Sequence, residues 1–129
     1  METTKKESSH RQIQAAIAHL HQGEFDCAIT LAASAEGILP ATEDPHIFKA
    51  IREDPNAQDI GPNLVINWLK HPGDPEAVNI SEFEAALTIA RAISKFIAVF
   101  HQSTRRFDEF LRWGHKAGHL PKMHRKNSE

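Results

Sequence analysis

Apolar residues recur at the helical spacing of three or four along most of the chain. Sustained alternation of apolar and polar residues, which indicates strands, is absent, and the chain has no tyrosine. The pattern therefore predicts an all-α fold.

Two helices are predicted at the start of the chain. The first covers residues 9–22 and is stopped by Gly23, and the second covers residues 24–39 and is ended by Pro40. The first helix carries an apolar stripe of Ile13, Ile17 and Leu20. The second directs inward Phe25, Ile29, Ala32, Ala35 and Leu39. The short joint at Gly23 favours an antiparallel hairpin.

The longest helix opens at a capping box formed by Ser81 and Glu84. Its apolar stripe consists of Phe83, Leu87, Ala90, Ile93, Ile97 and Phe100. Ile89 and Phe96 widen this stripe, so the helix can face two neighbours at once.

The chain between the second helix and the longest one is rich in proline, aspartate and asparagine. Residues 42–62 can hold only a short helix over residues 45–53. Another short helix begins at Pro62 and ends near residue 70, before a loop over residues 72–79.

Large apolar side chains follow the longest helix, on a segment that either continues it or restarts near Thr104. They are Phe107, Phe110, Leu111 and Trp113. Aromatic clusters of this kind serve either packing within one chain or a subunit contact. Phe107, Phe110 and Trp113 are therefore candidate interface residues.

A chain of 129 residues with 40% hydrophobic content is expected to form one core. We expect a disordered N-terminus over residues 1–8, a helical bundle over residues 9–115 and a flexible basic tail over residues 116–129. The net charge of −2 is unevenly distributed, because residues 24–84 hold 12 acidic side chains against three basic ones. The basic tail either contacts phosphate or is simply solvated.

The single Cys27 excludes an intrachain disulfide and is expected to be buried in a reducing compartment. No apolar run reaches the roughly 20 residues of a membrane span, so we expect a cytoplasmic protein without membrane contact. His115 and His119 stand four apart, but Gly114 and Gly118 argue against a rigid helix there. Neither a metal nor a cofactor is expected.

Glu36 falls among apolar neighbours on the second helix. An inward carboxylate needs a partner, for which Lys70, His71 and Arg91 are candidates, and such a pair could frame a binding pocket. The alternative is that Glu36 lies on the solvated flank of its helix.

The hexapeptide from Asn67 to Pro72 reads Asn-Trp-Leu-Lys-His-Pro and gives the main hint of chemistry. With the small-residue helix before it and the long amphipathic helix after it, the chain resembles the HEPN superfamily over residues 10–103. Within that superfamily it is similar to small uncharacterised bacterial proteins with an Asn-x-x-Lys-His motif. The resemblance implies an up-and-down bundle of four to five helices, with short extra helices in the central loop, and a homodimer.

Catalytic HEPN proteins are metal-independent ribonucleases with an arginine, a polar residue after it, and a histidine five residues after the arginine. The resemblance matches Asn67 to the polar position and His71 to the histidine, whereas Ile66 occupies the arginine position. Isoleucine cannot supply the charge that a phosphate transition state needs, although His71 can still move a proton. The resemblance thus implies a non-catalytic or degenerate binding module, with RNA or a nucleotide as ligand. A toxin or defence ribonuclease is the alternative.

The same motif has a purely structural interpretation. Pro72 ends the helix near Lys70, where Lys70 and His71 would interact favourably with the last carbonyls and the helix dipole. Asn67 would then bond to His71 or to a neighbouring helix.

Overall fold

The computed structural model describes residues 1–41 and 77–121, and all regular secondary structure in these two ranges is helical. The helices are α1 (Lys5–His21), α2 (Phe25–Gly37), α3 (Glu82–Phe100) and α4 (Arg105–Lys116). The predicted all-α class is confirmed. The two short helices predicted over residues 45–53 and 62–70 lie outside the described residues.

Helix α1 begins earlier than its predicted start at residue 9, because Thr4 caps it. The Thr4 hydroxyl oxygen accepts a hydrogen bond from the backbone N–H of Glu7 at 3.0 Å. Residues 5–8, in the segment predicted to be disordered, are therefore helical. Thr4 and Glu7 stand three apart, which is a start signal that the apolar pattern alone does not contain.

Gly23 ends α1 as predicted, with a φ of 79° that suits glycine. Its N–H donates to the Leu20 carbonyl at 3.0 Å, and the Glu24 N–H donates to the His19 carbonyl at 2.9 Å. This pair of bonds is a Schellman motif, which satisfies the last carbonyls of α1. The chain then enters α2 at Phe25 and packs back on α1.

The predicted capping box of α3 is confirmed. The Glu84 N–H donates to the Ser81 hydroxyl at 3.1 Å, and the Ser81 N–H donates to the Glu84 carboxylate at 3.0 Å. The helix ends at His101, which adopts a left-handed φ of 53°. Helix α4 therefore restarts after α3 rather than continuing it, and Thr104 caps it through the N–H of Phe107.

Contacts between the helices fix their directions. Near the N-terminus of α1, Lys6 donates to the Gln102 side chain at 2.7 Å, and His10 lies with its ring 6.2 Å from that of Phe96. Helix α3 thus runs antiparallel to α1 and in the same direction as α2. Helix α4 runs antiparallel to α3. Residues 42–76 join α2 to α3, so the up-and-down order stays a prediction.

The core lies where α1, α2 and α3 meet, with α4 closing one side. Small side chains let α2 and α3 approach closely, since several are fully buried: Ala28, Ala32, Ala35, Ala85, Ala86 and Ala92. Ile89 and Phe96 were expected only to widen the stripe of α3. They are among the largest buried side chains, at 0% and 2% exposed. Helix α3 is therefore buried on more than one face.

Within residues 1–41 and 77–121, none of the helices combines the length and the hydropathy that crossing a bilayer requires.

Candidate functional site

Glu36 lies in the last turn of α2, and its side chain is 17% exposed. Arg91 on α3 donates from Nη2 to the Glu36 Oε1 at 3.1 Å, forming an ion pair between the two helices. Arg91 is one of the three partners predicted for this carboxylate, and that part of the prediction is confirmed. Because the pair is largely removed from water, separating its members would leave a charge that is costly to bury.

Lys95, one turn after Arg91 on α3, reaches the same turn of α2. Its Nζ donates to the backbone carbonyl of Glu36 at 2.9 Å. A cation close to the C-terminus of a helix interacts favourably with the helix dipole. Arg91 and Lys95 together hold the end of α2 against α3. Sequence reasoning missed Lys95, although the spacing of four to Arg91 places both on one helix face.

Two polar atoms beside this ion pair are buried and, among the residues that the structure describes, have no hydrogen-bond partner. They are Nη1 of Arg91 and the hydroxyl oxygen of Ser94, whose residue is only 1% exposed. Ser94 follows Arg91 by three positions, so the two side chains are neighbours on α3. An unsatisfied buried donor costs free energy. A guanidinium N–H next to a hydroxyl can donate to a carboxylate or phosphate oxygen.

The whole predicted motif lies outside the described residues, and with it Ile66, Asn67, Lys70 and His71. Their assignments, including Lys70 and His71 as partners of Glu36, therefore stay predictions. Of the predicted polar site, the structure places Glu36 with its partner Arg91.

The aromatic side chains proposed for an interface pack largely within the chain. Phe107 is fully buried and Phe110 is 2% exposed, while Trp113 is half-buried. The Phe107 ring lies 5.4 Å from that of Phe96, and the Phe110 ring lies 5.5 Å from that of Trp113. Of the two uses predicted for this cluster, packing within one chain accounts for Phe107 and Phe110.

Cys27 is exposed, so the prediction that its thiol is buried is wrong. The inward residues of α2 follow the helical period from Phe25 to Ile29, and Cys27 lies between them on another face. Desolvation by its surroundings, and then the charges of Asp26 and Glu24, raise the pKa of the Cys27 thiol. A raised pKa lowers the thiolate fraction at neutral pH, which makes the thiol a poor nucleophile.

The histidines considered as metal ligands bind other partners. His119 Nε2 lies 2.7 Å from the Glu82 Oε1, and His115 Nδ1 lies 3.4 Å from the Leu120 carbonyl oxygen. In the described ranges, no group of three or more His, Cys, Asp or Glu side chains is arranged to hold a metal ion.

Comparisons of the chain with protein-family models, with curated proteins and with solved structures give no match. The interpretation of its function therefore depends on its residues and on the geometry around Glu36.

Proposed function

We propose that this chain is a HEPN-like, dimeric binding module that takes an anionic ligand, RNA or a nucleotide, without cleaving it. Asn67 and His71 would line the ligand site together with Glu36 and Lys70. The HEPN assignment and the dimer derive from the sequence resemblance alone.

The observation that carries the absence of catalysis is Ile66 in the place of the motif arginine, and the Glu36–Arg91 ion pair agrees with it. Ile66 removes the motif arginine, so a ribonuclease would need another guanidinium whose charge is free to meet a phosphate. Arg91 is the half-buried arginine of the described helices, and Glu36 already neutralises its charge at 3.1 Å.

Donors left over beside the ion pair support binding. Glu36 occupies only one nitrogen of the Arg91 fork, and no described residue accepts from the buried Nη1 or from the buried Ser94 hydroxyl. Lys95 adds a positive charge within the same turn of α2. Donors on rigid helices suit an acceptor-rich group such as phosphate, which is shared by RNA and nucleotides.

Binding is tested with a fluorescent 12-nucleotide RNA whose 2′-hydroxyls are methylated, which removes the internal nucleophile and prevents cleavage. Fluorescence anisotropy gives Kd for the wild type and for the double variant Glu36→Gln with Arg91→Gln, which replaces both charges and leaves neither unpaired. We expect affinity to fall by roughly tenfold to a hundredfold in the double variant, the range of a lost charged hydrogen bond. Arg106→Gln removes one exposed positive charge and serves as the control.

Two results would overturn the binding proposal. One is no binding by a folded wild type, with helicity verified by circular dichroism. The other is an equal loss in Arg106→Gln and in the double variant, which would indicate non-specific attraction to positive charge. The mass of the wild type in solution, from light scattering, tests the dimer separately, and a monomeric mass would remove it.

A further inference from the structure

Trp113 contacts two histidine rings at the end of the bundle where α1 and α4 finish. The ring of His21, in the last turn of α1, is 4.8 Å from the indole and nearly perpendicular to it. The ring of His119, in the turn that follows α4, is 5.6 Å from the same indole. One aromatic side chain thus links α1, α4 and the turn after α4.

The turn after α4 is built around two glycines. Gly118 has a φ of 81°; its N–H donates to the His115 carbonyl at 3.1 Å, and the His119 N–H donates to the Gly114 carbonyl at 2.9 Å. This is a second Schellman motif, and it places the Leu120 side chain over Gly114 and against Leu87 of α3. Leu120 is 4% exposed, although its segment was predicted to be a flexible tail.

His119 also connects this turn to the start of α3. Its Nε2 lies 2.7 Å from the Glu82 Oε1, and its side chain is 18% exposed. The His119 ring is 6.1 Å from that of Phe83, so apolar surface flanks one side of the contact, while the Glu82 side chain is 43% exposed. Such a hydrogen bond is stronger when the imidazole is protonated, because both partners are then charged.

We propose that His21, Trp113, His119 and Glu82 form a pH-sensitive clasp that fastens residues 117–120 to α3 in mild acid and loosens toward pH 8. Histidine is the side chain that ordinarily changes charge between pH 5 and 8. A protonated His119 attracts the Glu82 carboxylate and lies as a cation beside the indole. A neutral His119 loses both charged interactions, so the attraction is present at low pH and is lost as the pH rises.

The direction of the pH response depends on the charged groups that face the clasp. Helix α3 contributes Glu82, α1 contributes His21, and α4 contributes His115, whose ring is turned to the Leu120 carbonyl. Protonated His21 and His119 repel each other, but no direct contact joins their rings, whereas His119 and Glu82 are in contact at 2.7 Å. The shorter, opposite-charge contact dominates.

Fluorescence of Trp113 in the full chain tests the clasp. The chain has two tryptophans, so Trp68→Phe is introduced into every variant to leave one signal. We expect a single transition between pH 8 and 5, with at least half of its amplitude lost in His119→Gln. His19→Gln is the matched control, because His19 is at the same end of the bundle but contacts Glu24 at 2.6 Å. A flat titration, or equal changes in the two variants, would overturn the proposal.

Hydrogen exchange at the Leu120 amide gives a second test that needs no tryptophan. We expect its protection factor to be roughly fivefold higher at pH 5.5 than at pH 7.5, as a weak ion pair would produce. Glu82→Gln should remove the difference while helicity is retained. Protection that is equal at both pH values in the wild type, or that persists in Glu82→Gln, would contradict the clasp.

Discussion

The two ends of the bundle are held together by different chemistry. At the aromatic end, formed by His10, Phe96, Phe100 and Phe107, the ring centroids of Phe96 and Phe107 are 5.4 Å apart in an edge-to-face contact. At the histidine end, formed by His21, Glu82, Trp113, His119 and Leu120, the contacts combine rings, one carboxylate and a glycine-dependent turn.

The two ends are therefore expected to respond differently to mutation and to pH. Buried apolar area does not depend on pH, so the packing of Phe96 against Phe107 at the aromatic end supplies stability that does not change with pH. The histidine end depends on the charge of imidazoles and on backbone geometry at Gly114 and Gly118. We therefore expect large stability losses from the aromatic end and smaller, condition-dependent effects at the histidine end.

The largest effect is expected for Phe107→Ala at the aromatic end. Phe107 is fully buried, so truncation should lower the free energy of unfolding by about 3–5 kcal/mol. Urea unfolding followed by circular dichroism measures this loss. Phe100→Ala is the control, because Phe100 is only partly buried and should cost clearly less. Equal losses in the two variants would show that burial does not determine how much each phenylalanine of the aromatic end contributes to stability.

At the histidine end, Gly114→Ala should destabilise by about 1–3 kcal/mol through overpacking. A Cβ at Gly114 would lie 2.5 Å from the Leu120 Cδ1, so Leu120 must move away. Gly37→Ala is the matched control, since a Cβ there meets nothing within 4 Å. It should be neutral or stabilising by up to about 1 kcal/mol. If Gly114→Ala behaved like Gly37→Ala, Leu120 would not pack as described.

A smaller effect is expected for Ser81→Ala, which removes the cap beside Glu82. The hydroxyl bond to the Glu84 N–H is lost, at a cost of about 1 kcal/mol. Ser34→Ala on the exposed face of α2 should stay within about 0.5 kcal/mol of the wild type. Thermal unfolding compares Ser81→Ala with Ser34→Ala. Similar melting temperatures would mean that the cap contributes little to stability at the histidine end.

The smallest effect concerns Cys27, at the start of α2. Its pKa is raised by desolvation and by Asp26 and Glu24, so alkylation by iodoacetamide at pH 8 should be slower than for an ordinary exposed thiol. Asp26→Asn removes one negative neighbour, lowers the pKa and should speed the reaction a few-fold. Glu109→Gln, on the exposed surface of α4, should leave the rate unchanged. An unchanged rate in Asp26→Asn would argue against this origin of the pKa.

The local features of the fold could be predicted from the sequence. Gly23, the capping box of Ser81 and Glu84, and the apolar stripes each depend on residues within one or two helical turns. The start of α1 at Lys5 was missed, although Thr4 and Glu7 carry a usable capping signal. The exposure of Cys27 could also have been predicted, because the helical phase of α2 places it off the buried stripe.

The histidine end could not be predicted, because it depends on contacts distant in sequence. His119 and Glu82 are 37 residues apart, and only the antiparallel packing of α3 and α4 brings them together. For the candidate site, a paired Glu36 was one of two alternatives, and Arg91, its partner in the structure, was among the candidates considered. Lys95 was missed because its bond goes to a backbone carbonyl, which leaves no charge pattern in the sequence.

An RNA cleavage assay is the most direct test of the proposal that the chain binds RNA without cleaving it. A 5′-labelled RNA with natural 2′-hydroxyls is incubated with the wild type, with His71→Ala and with Ile66→Arg. A chelator in every reaction inhibits contaminating nucleases that depend on metal ions. We predict that the wild type leaves the RNA intact, at the level of His71→Ala. Cleavage by the wild type that disappears in a folded His71→Ala would contradict the account, because a ribonuclease would then work without the motif arginine.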